Sequence, residues 1–228
     1  MTYIEKLRDL ISSVETTPDR VVLQFSTAAP IWRRFTPKRV KRDGDKHLFS
    51  TPFNKNYASP IIRRLCHSPF SHVDFVLWDG NLLGASNQGE DSPCIEGNPC
   101  GVAIRPPDYQ PFGRRRNMTI KTDKAHFIYA YALSQLGRPF DNSALYQFLS
   151  EGMAPSRDWR IPDKWFCAEL VPYCFELGGY WWPRELIWPK DRFSPTDVIL
   201  LFMGDANFIN RDTFWDFIPG LKRAPEEL

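Results

Sequence analysis

Two residues in this chain have the types and settings to do chemistry together, a cysteine at position 167 and a histidine at position 72. Cys167 lies in Trp165-Phe166-Cys167-Ala168-Glu169-Leu170, where an aromatic-rich loop turns into a helix-forming run. At a helix start, unpaired backbone N–H groups and the positive end of the dipole favour thiolate over thiol and offer donors to an oxyanion. Such a thiol needs a base. The best candidate is His72, in Ser71-His72-Val73-Asp74-Phe75-Val76-Leu77, where it opens a β-branched, aromatic run with the character of a strand. Together they would attack a carbonyl, with the thiolate as nucleophile and the imidazole as proton carrier. The plain alternative makes Cys167 a small buried hydrophobe and His72 a strand-end histidine.

Positioning that pair requires a helix behind Cys167 and a strand behind His72. The helix is expected from about Phe166 to Gly178-Gly179, with Pro172 inside it to kink it or leave a carbonyl unpaired. The strand runs into Asp79-Gly80, which reads as a two-residue hairpin turn. That turn would set Val76 opposite Leu83, Asp74 opposite Ala85 and His72 opposite Asn87, placing Asn87 on the face of the histidine. Elsewhere, residues 3–15 have the spacing of an amphipathic helix, Val21 to Phe25 that of a strand, and Pro60 to Cys66 that of a helix. Gly101 to Pro107 reads as a short strand ended by the double proline, and Arg114-Arg115-Arg116 as a loop. Residues 122–136 form a further helix with Gly137 as its cap, and Leu145 to Phe148 a second helical piece. Asp197 to Phe202 reads as a final strand, and the tail from Arg211 as a surface segment anchored by Phe214, Trp215 and Phe217.

The chain has 228 residues, long enough to bury a core without staples, and no internal repeat or low-complexity linker divides it, so residues 1–228 are read as one domain. Lys plus Arg number 29 against 27 for Asp plus Glu, a balance that calls for neither nucleic acid nor a membrane surface. The N-terminus lacks the apolar run of a signal peptide and no window has the ~18 apolar residues of a spanning helix. With five cysteines, an odd number, synthesis in a reducing cytoplasm is expected, and association with a particle is compatible with it.

The order and spacing of these pieces resemble the circularly permuted branch of the papain-like, NlpC-type cysteine hydrolases, which includes YiiX-like proteins and related bacteriophage hydrolases. The matching stretches are Asp19 to Phe25, Ser71-His72-Val73, Leu83-Gly84-Ala85, Gly101-Val102, Leu136-Gly137-Arg138-Pro139-Phe140-Asp141 and Phe166-Cys167-Ala168-Glu169-Leu170-Val171. Histidine precedes cysteine here, as in the permuted branch. The resemblance implies an α+β domain with a small antiparallel sheet against the cysteine helix. It also implies hydrolysis of an amide without a cofactor. The substrate would be a peptide, such as a stem peptide of peptidoglycan, in a lytic or phage tail-associated virion setting with other tail proteins as partners. Two other functions share the fold: a structural component that has lost turnover, and an acyltransferase or thioesterase.

The pattern departs from that family at two positions. Gly84 stands where YiiX-like proteins carry a glutamate as third catalytic group, and Phe140 where NlpC-type proteins often have a tyrosine near the oxyanion. The third group here is then Asn87, which would hold the imidazole as an asparagine does in papain-like sites, with Asp74 and Gln88 as alternatives. Glu169 suits a packing or capping role at the helix start. Cys66, His67, Cys94 and Cys100 are ligand types for zinc, but their spacing fits no common zinc pattern and no metal is expected. Cys174, seven residues beyond Cys167, reads as core, and His47 and His126 have no chemical neighbours in sequence.

Overall fold

A computed structural model describes residues 2–12, 18–28, 69–87, 93–109, 112–143, 163–180, 193–210 and 214. In chain order these form helix α1 (Tyr3–Ser12) and strands β1 (Arg20–Ala28), β2 (His72–Val76), β3 (Leu82–Ala85), β4 (Glu96–Gly97), β5 (Val102–Arg105) and β6 (Phe112–Lys121). Helices α2 (Ala125–Ser134), α3 (Cys167–Leu177) and α4 (Pro195–Met203) follow. The strands make one six-stranded antiparallel sheet in the order β4-β5-β3-β2-β1-β6. The class is α+β. The expected helix at Pro60 to Cys66 and the piece at Leu145 to Phe148 lie outside the described residues, as do Trp215 and Phe217.

Alternation along the strands sorts the sheet into two faces. Val21, Leu23 and Phe25 of β1, Val73 and Phe75 of β2, Leu83 of β3, and Met118 and Ile120 of β6 are buried on one of them. Phe75 stacks on Phe175 of α3, ring centres 6.3 Å apart. Tyr129 of α2 donates its hydroxyl to Val76 O at 2.9 Å and accepts Val22 N–H at 3.2 Å, pinning that helix to two strands. Gln24, Ser26 and Asp74 alternate with these core residues and are buried too, a polar row in the sheet that needs partners.

The hairpin between β2 and β3 differs from the expected one by a single residue. Phe75 pairs with Leu83 and Val76 with Leu82. Leu77 N–H bonds to Asn81 O, and Gly80 N–H to Leu77 O, so the loop is the three residues Trp78-Asp79-Gly80. Gly80 takes φ +83°, the left-handed position that closes a three-residue loop with a bulge. Asp79 is held there by the Tyr3 hydroxyl of α1 at 2.6 Å. Because side chains alternate with period two, this one-residue slip sends Asn87 to the other face and brings Gly84 across from Asp74.

Two further expectations change. Asp197 to Phe202 is helical, not a strand. Ser194 caps α4, its Oγ accepting Asp197 N–H at 3.2 Å while the Asp197 carboxylate accepts Ser194 N–H at 2.7 Å, and proline occupies the first helical position. Arg114, Arg115 and Arg116 lie in strand β6, where pairing with Thr27, Ser26 and Phe25 of β1 imposes extension that local composition does not call for. Their charges are exposed along an edge strand, where they oppose further strand addition. Phe214 is buried against Phe25, Phe70 and Phe208, as an anchor should be. No described helix is long and apolar enough to cross a membrane.

Candidate active site

Cys167 is the first residue of α3, and Phe166 before it is extended at φ −92°, ψ 149°. The Glu169 carboxylate turns back to the Phe166 N–H at 3.4 Å, where a negative charge also suits the helix dipole. The loop that delivers Cys167 is strapped to the sheet through residues 139–141. Gly101 bridges Pro139, Trp165 N–H donates to Pro139 O at 3.1 Å, and Asp141 N–H donates to Trp165 O at 3.0 Å. Phe140 packs on Phe166 with ring centres 5.7 Å apart, next to the seat of the cysteine. Pro172 lies inside α3 without ending it, removing only one helical hydrogen bond. Cys167 is 3% exposed.

His72 opens β2 and lies close enough to the Cys167 side chain to interact with it electrostatically. Its Nε2 lies 2.8 Å from Asp74 Oδ1, two residues along the same strand and therefore on the same side. That leaves Nδ1 for the thiol. Asp74 is 1% exposed, so its carboxylate has little water to satisfy it and its bonds come from the protein. Burial alone would lower the His72 pKa, but the Asp74 carboxylate and then the Cys167 thiolate outweigh it, raising it from 6.5 to about 10. The imidazole is accordingly favoured in its cationic form.

Gly84 makes room for this arrangement. A Cβ at that position would lie 2.0 Å from Asp74 Oδ1, so any side chain there would collide with the carboxylate that binds His72. The group facing the imidazole is Asp74, one of the alternatives weighed above. Asn87 does not face it: its amide donates to Asn142 Oδ1, and the hairpin slip is the reason. Gln88 lies outside the described residues.

Two residues with no signal in the sequence complete the surroundings. Tyr109, in the turn after β5, places its hydroxyl 3.1 Å from His72 Nε2 and donates to Asp74 Oδ2 at 3.3 Å. Burial, reinforced by Asp74, pushes the Tyr109 phenol well above its ordinary range, so it stays protonated. Arg105, 1% exposed, gives its guanidinium to the carbonyls of Gly84, Ala103, Pro99 and Gly101 at 2.9 to 3.3 Å. Pro106-Pro107-Asp108-Tyr109 announces only a turn, and proximity to His72 is a product of the sheet order.

The remaining candidates fall away from the site. Cys174 is buried among core residues and its thiol pKa is driven up by that burial alone. Cys94 is exposed and Cys100 half-buried, both as free thiols. Among the described residues no three His, Cys, Asp or Glu side chains converge as a metal site would require, and Cys66, His67 and His47 lie outside those residues. His126 stacks on Phe127 at 4.0 Å, far along the chain from either partner of the pair.

Comparison with protein-family models, curated proteins and solved structures finds no match to this chain.

Proposed function

We propose that this protein is a cysteine-dependent amide hydrolase of the permuted papain-like, NlpC-type arrangement. Cys167 is its nucleophile, His72 its acid and base, and Asp74 the group that holds the imidazole. The observation that carries the reading is His72 held 2.8 Å from the buried Asp74 and within electrostatic reach of Cys167 at a helix start. Nothing in core packing requires a cationic imidazole between a thiol and a carboxylate.

In this mechanism the Cys167 thiolate adds to the substrate carbonyl carbon, and the electron pair moves to oxygen. N–H groups at the head of α3, which have no intrahelical acceptors, stabilise that oxyanion. His72 gives its Nδ1 proton to the leaving amine as the C–N bond breaks, leaving an acyl-enzyme. Neutral His72 then takes a proton from water, hydroxide adds to the thioester, and collapse returns the thiolate and a carboxylic acid. Asp74 stays ionised throughout and stabilises the imidazolium.

The substrate class comes from the resemblance: a peptide of the kind found in bacterial cell wall, acted on in a lytic or particle-associated setting. The glycine at position 84 supports activity and not its loss, because the space a side chain would fill holds the carboxylate of Asp74. Digestion of purified cell wall by the wild-type protein, with new amines and carboxylates counted by mass spectrometry, tests the proposal. Release should fall to background in Cys167→Ala, and release at the wild-type rate in that variant would overturn it. Acylation of Cys167 by an activated acyl donor with no cell-wall cleavage would redirect the same chemistry to acyl transfer.

A further inference from the structure

We infer that Tyr109 is a positioning residue for the His72–Asp74 pair, reaching it from the β5–β6 connection and steadied from below by Arg105. The inference rests on the reading of Cys167 and His72 as a reactive pair, and adds a fourth residue to it. Its basis is a closed triangle of polar contacts: His72 Nε2 to Asp74 Oδ1 at 2.8 Å, Tyr109 oxygen to His72 Nε2 at 3.1 Å, and Tyr109 hydroxyl to Asp74 Oδ2 at 3.3 Å. With Nε2 protonated, all three are satisfied: Nε2–H is shared between the carboxylate and the phenol oxygen, and the phenol gives its own proton to the far carboxylate oxygen.

Each contact has a consequence for the pair. With Oδ1 on the imidazole and Oδ2 on the phenol, rotation of the Asp74 carboxylate is stopped at both ends. With a second acceptor beside Nε2–H, the cationic form of His72 is favoured over the neutral one, and the thiolate of Cys167 with it. The carboxylate is 1% exposed and the phenol ring 6% exposed, so the protein supplies what water would otherwise provide.

Arg105 explains how a turn residue can hold such a place. The turn itself is closed by Tyr109 N–H on Pro106 O at 3.1 Å. The Arg105 guanidinium carbon lies 5.4 Å from the centre of the Tyr109 ring, within cation–π range, while its four hydrogen bonds tie β3, β5 and the loop before β5 into one plate under that ring. The position of Tyr109 is thereby fixed to the strand that carries Gly84, whose missing side chain admits Asp74.

The plain alternative is a buried tyrosine whose hydroxyl has merely found partners. Tyr109→Phe separates the two, because it keeps the ring and removes only the hydroxyl. The readout is the rate of Cys167 alkylation by iodoacetamide from pH 5 to 9, read by peptide mass spectrometry, in wild type, His72→Ala and Tyr109→Phe. Below neutral pH the Tyr109→Phe rate should fall about three- to tenfold, what one hydrogen bond of ordinary net strength accounts for, and its profile should move to higher pH. With a cleaved substrate, kcat should fall and KM stay. If Tyr109→Phe follows the wild type while His72→Ala does not, Tyr109 only packs and the inference fails with the reactive pair intact. If wild type and His72→Ala react alike, the pair and the inference fail together. Should Tyr109→Phe not fold, a fluorinated tyrosine at 109 keeps the shape and alters the hydroxyl. An alkylation profile unchanged by fluorine overturns the inference, and a displaced one supports it.

Discussion

Helix α3 carries two cysteines seven residues apart, Cys167 at its head and Cys174 in its middle, and both are buried, at 3% and 2% exposure. Burial is therefore not what distinguishes them. Cys174 is surrounded by apolar side chains that disfavour its ionisation. Cys167 meets an imidazole whose cationic form Asp74 favours, and it stands at the start of the helix, by the positive end of the dipole. One helix thus gives its two thiols different surroundings, apolar for Cys174 and beside an imidazole for Cys167.

The sharpest way to break that contrast is to remove the imidazole. In His72→Ala, alkylation of Cys167 at pH 6 should drop by about a hundredfold or more, toward the slow rate of Cys174, which should not change. Peptide mass spectrometry after timed iodoacetamide exposure compares both thiols in one sample. Equal loss at both would mean that the variant had loosened the core, and the contrast would have no local cause.

Gly84→Ala attacks the same contrast from the sheet. Its new methyl would lie 2.0 Å from Asp74 Oδ1, so the carboxylate must leave His72 or the strands must part. We expect a loss of about 1–3 kcal/mol in urea-induced unfolding, the usual cost of forcing atoms into a filled site. Alkylation of Cys167 should slow as well, because its imidazole loses the group that keeps it charged. In Asp74→Gly the methyl finds space, so Gly84→Ala added to that variant should cost little further stability.

The most gradual effect lies in the pH dependence of stability. His72 has its pKa raised from 6.5 to about 10 on folding, so between those values the folded protein keeps a proton that the unfolded chain has released. The stabilisation from this group is complete below pH 6.5 and is lost as the pH rises through about 10. One proton limits the slope to about 1.4 kcal/mol per pH unit. Urea midpoints from pH 6 to 8 should fall in the wild type and be flatter in His72→Gln, whereas removing Cys174, whose ordinary pKa of 9.0 lies above that window, should leave the slope as it is.

Much of this was legible in the amino-acid order because it rests on local rules. Helices α1, α2 and α3 announce themselves by periodicity and caps, and β1, β2 and β5 by alternation. The candidate pair follows from residue type and local setting. Helix α4 reads wrongly as a strand from its apolar run, although Ser194-Pro195-Thr196-Asp197 carries the cap that marks a helix start. Strand β6 was not legible, since three consecutive arginines are extended only because β1 pairs with them.

Which group faces His72 was decided by tertiary structure. Asp79-Gly80 marks a hairpin in either of two loop lengths, and the choice between them rests on one glycine conformation and on the grip of Tyr3 on Asp79. A residue's difference in loop length reverses every side chain beyond it, so Asn87 leaves the histidine, Gly84 meets Asp74, and the carboxylate comes from the strand of the histidine itself. Tyr109 joins from 37 residues away because β5 sits beside β3 in the sheet. The amino-acid order was enough to nominate the two candidate residues, since helix starts and strand starts are written locally. Their partners depend on register and strand order, which are sums over many weak contacts that no short stretch of sequence contains.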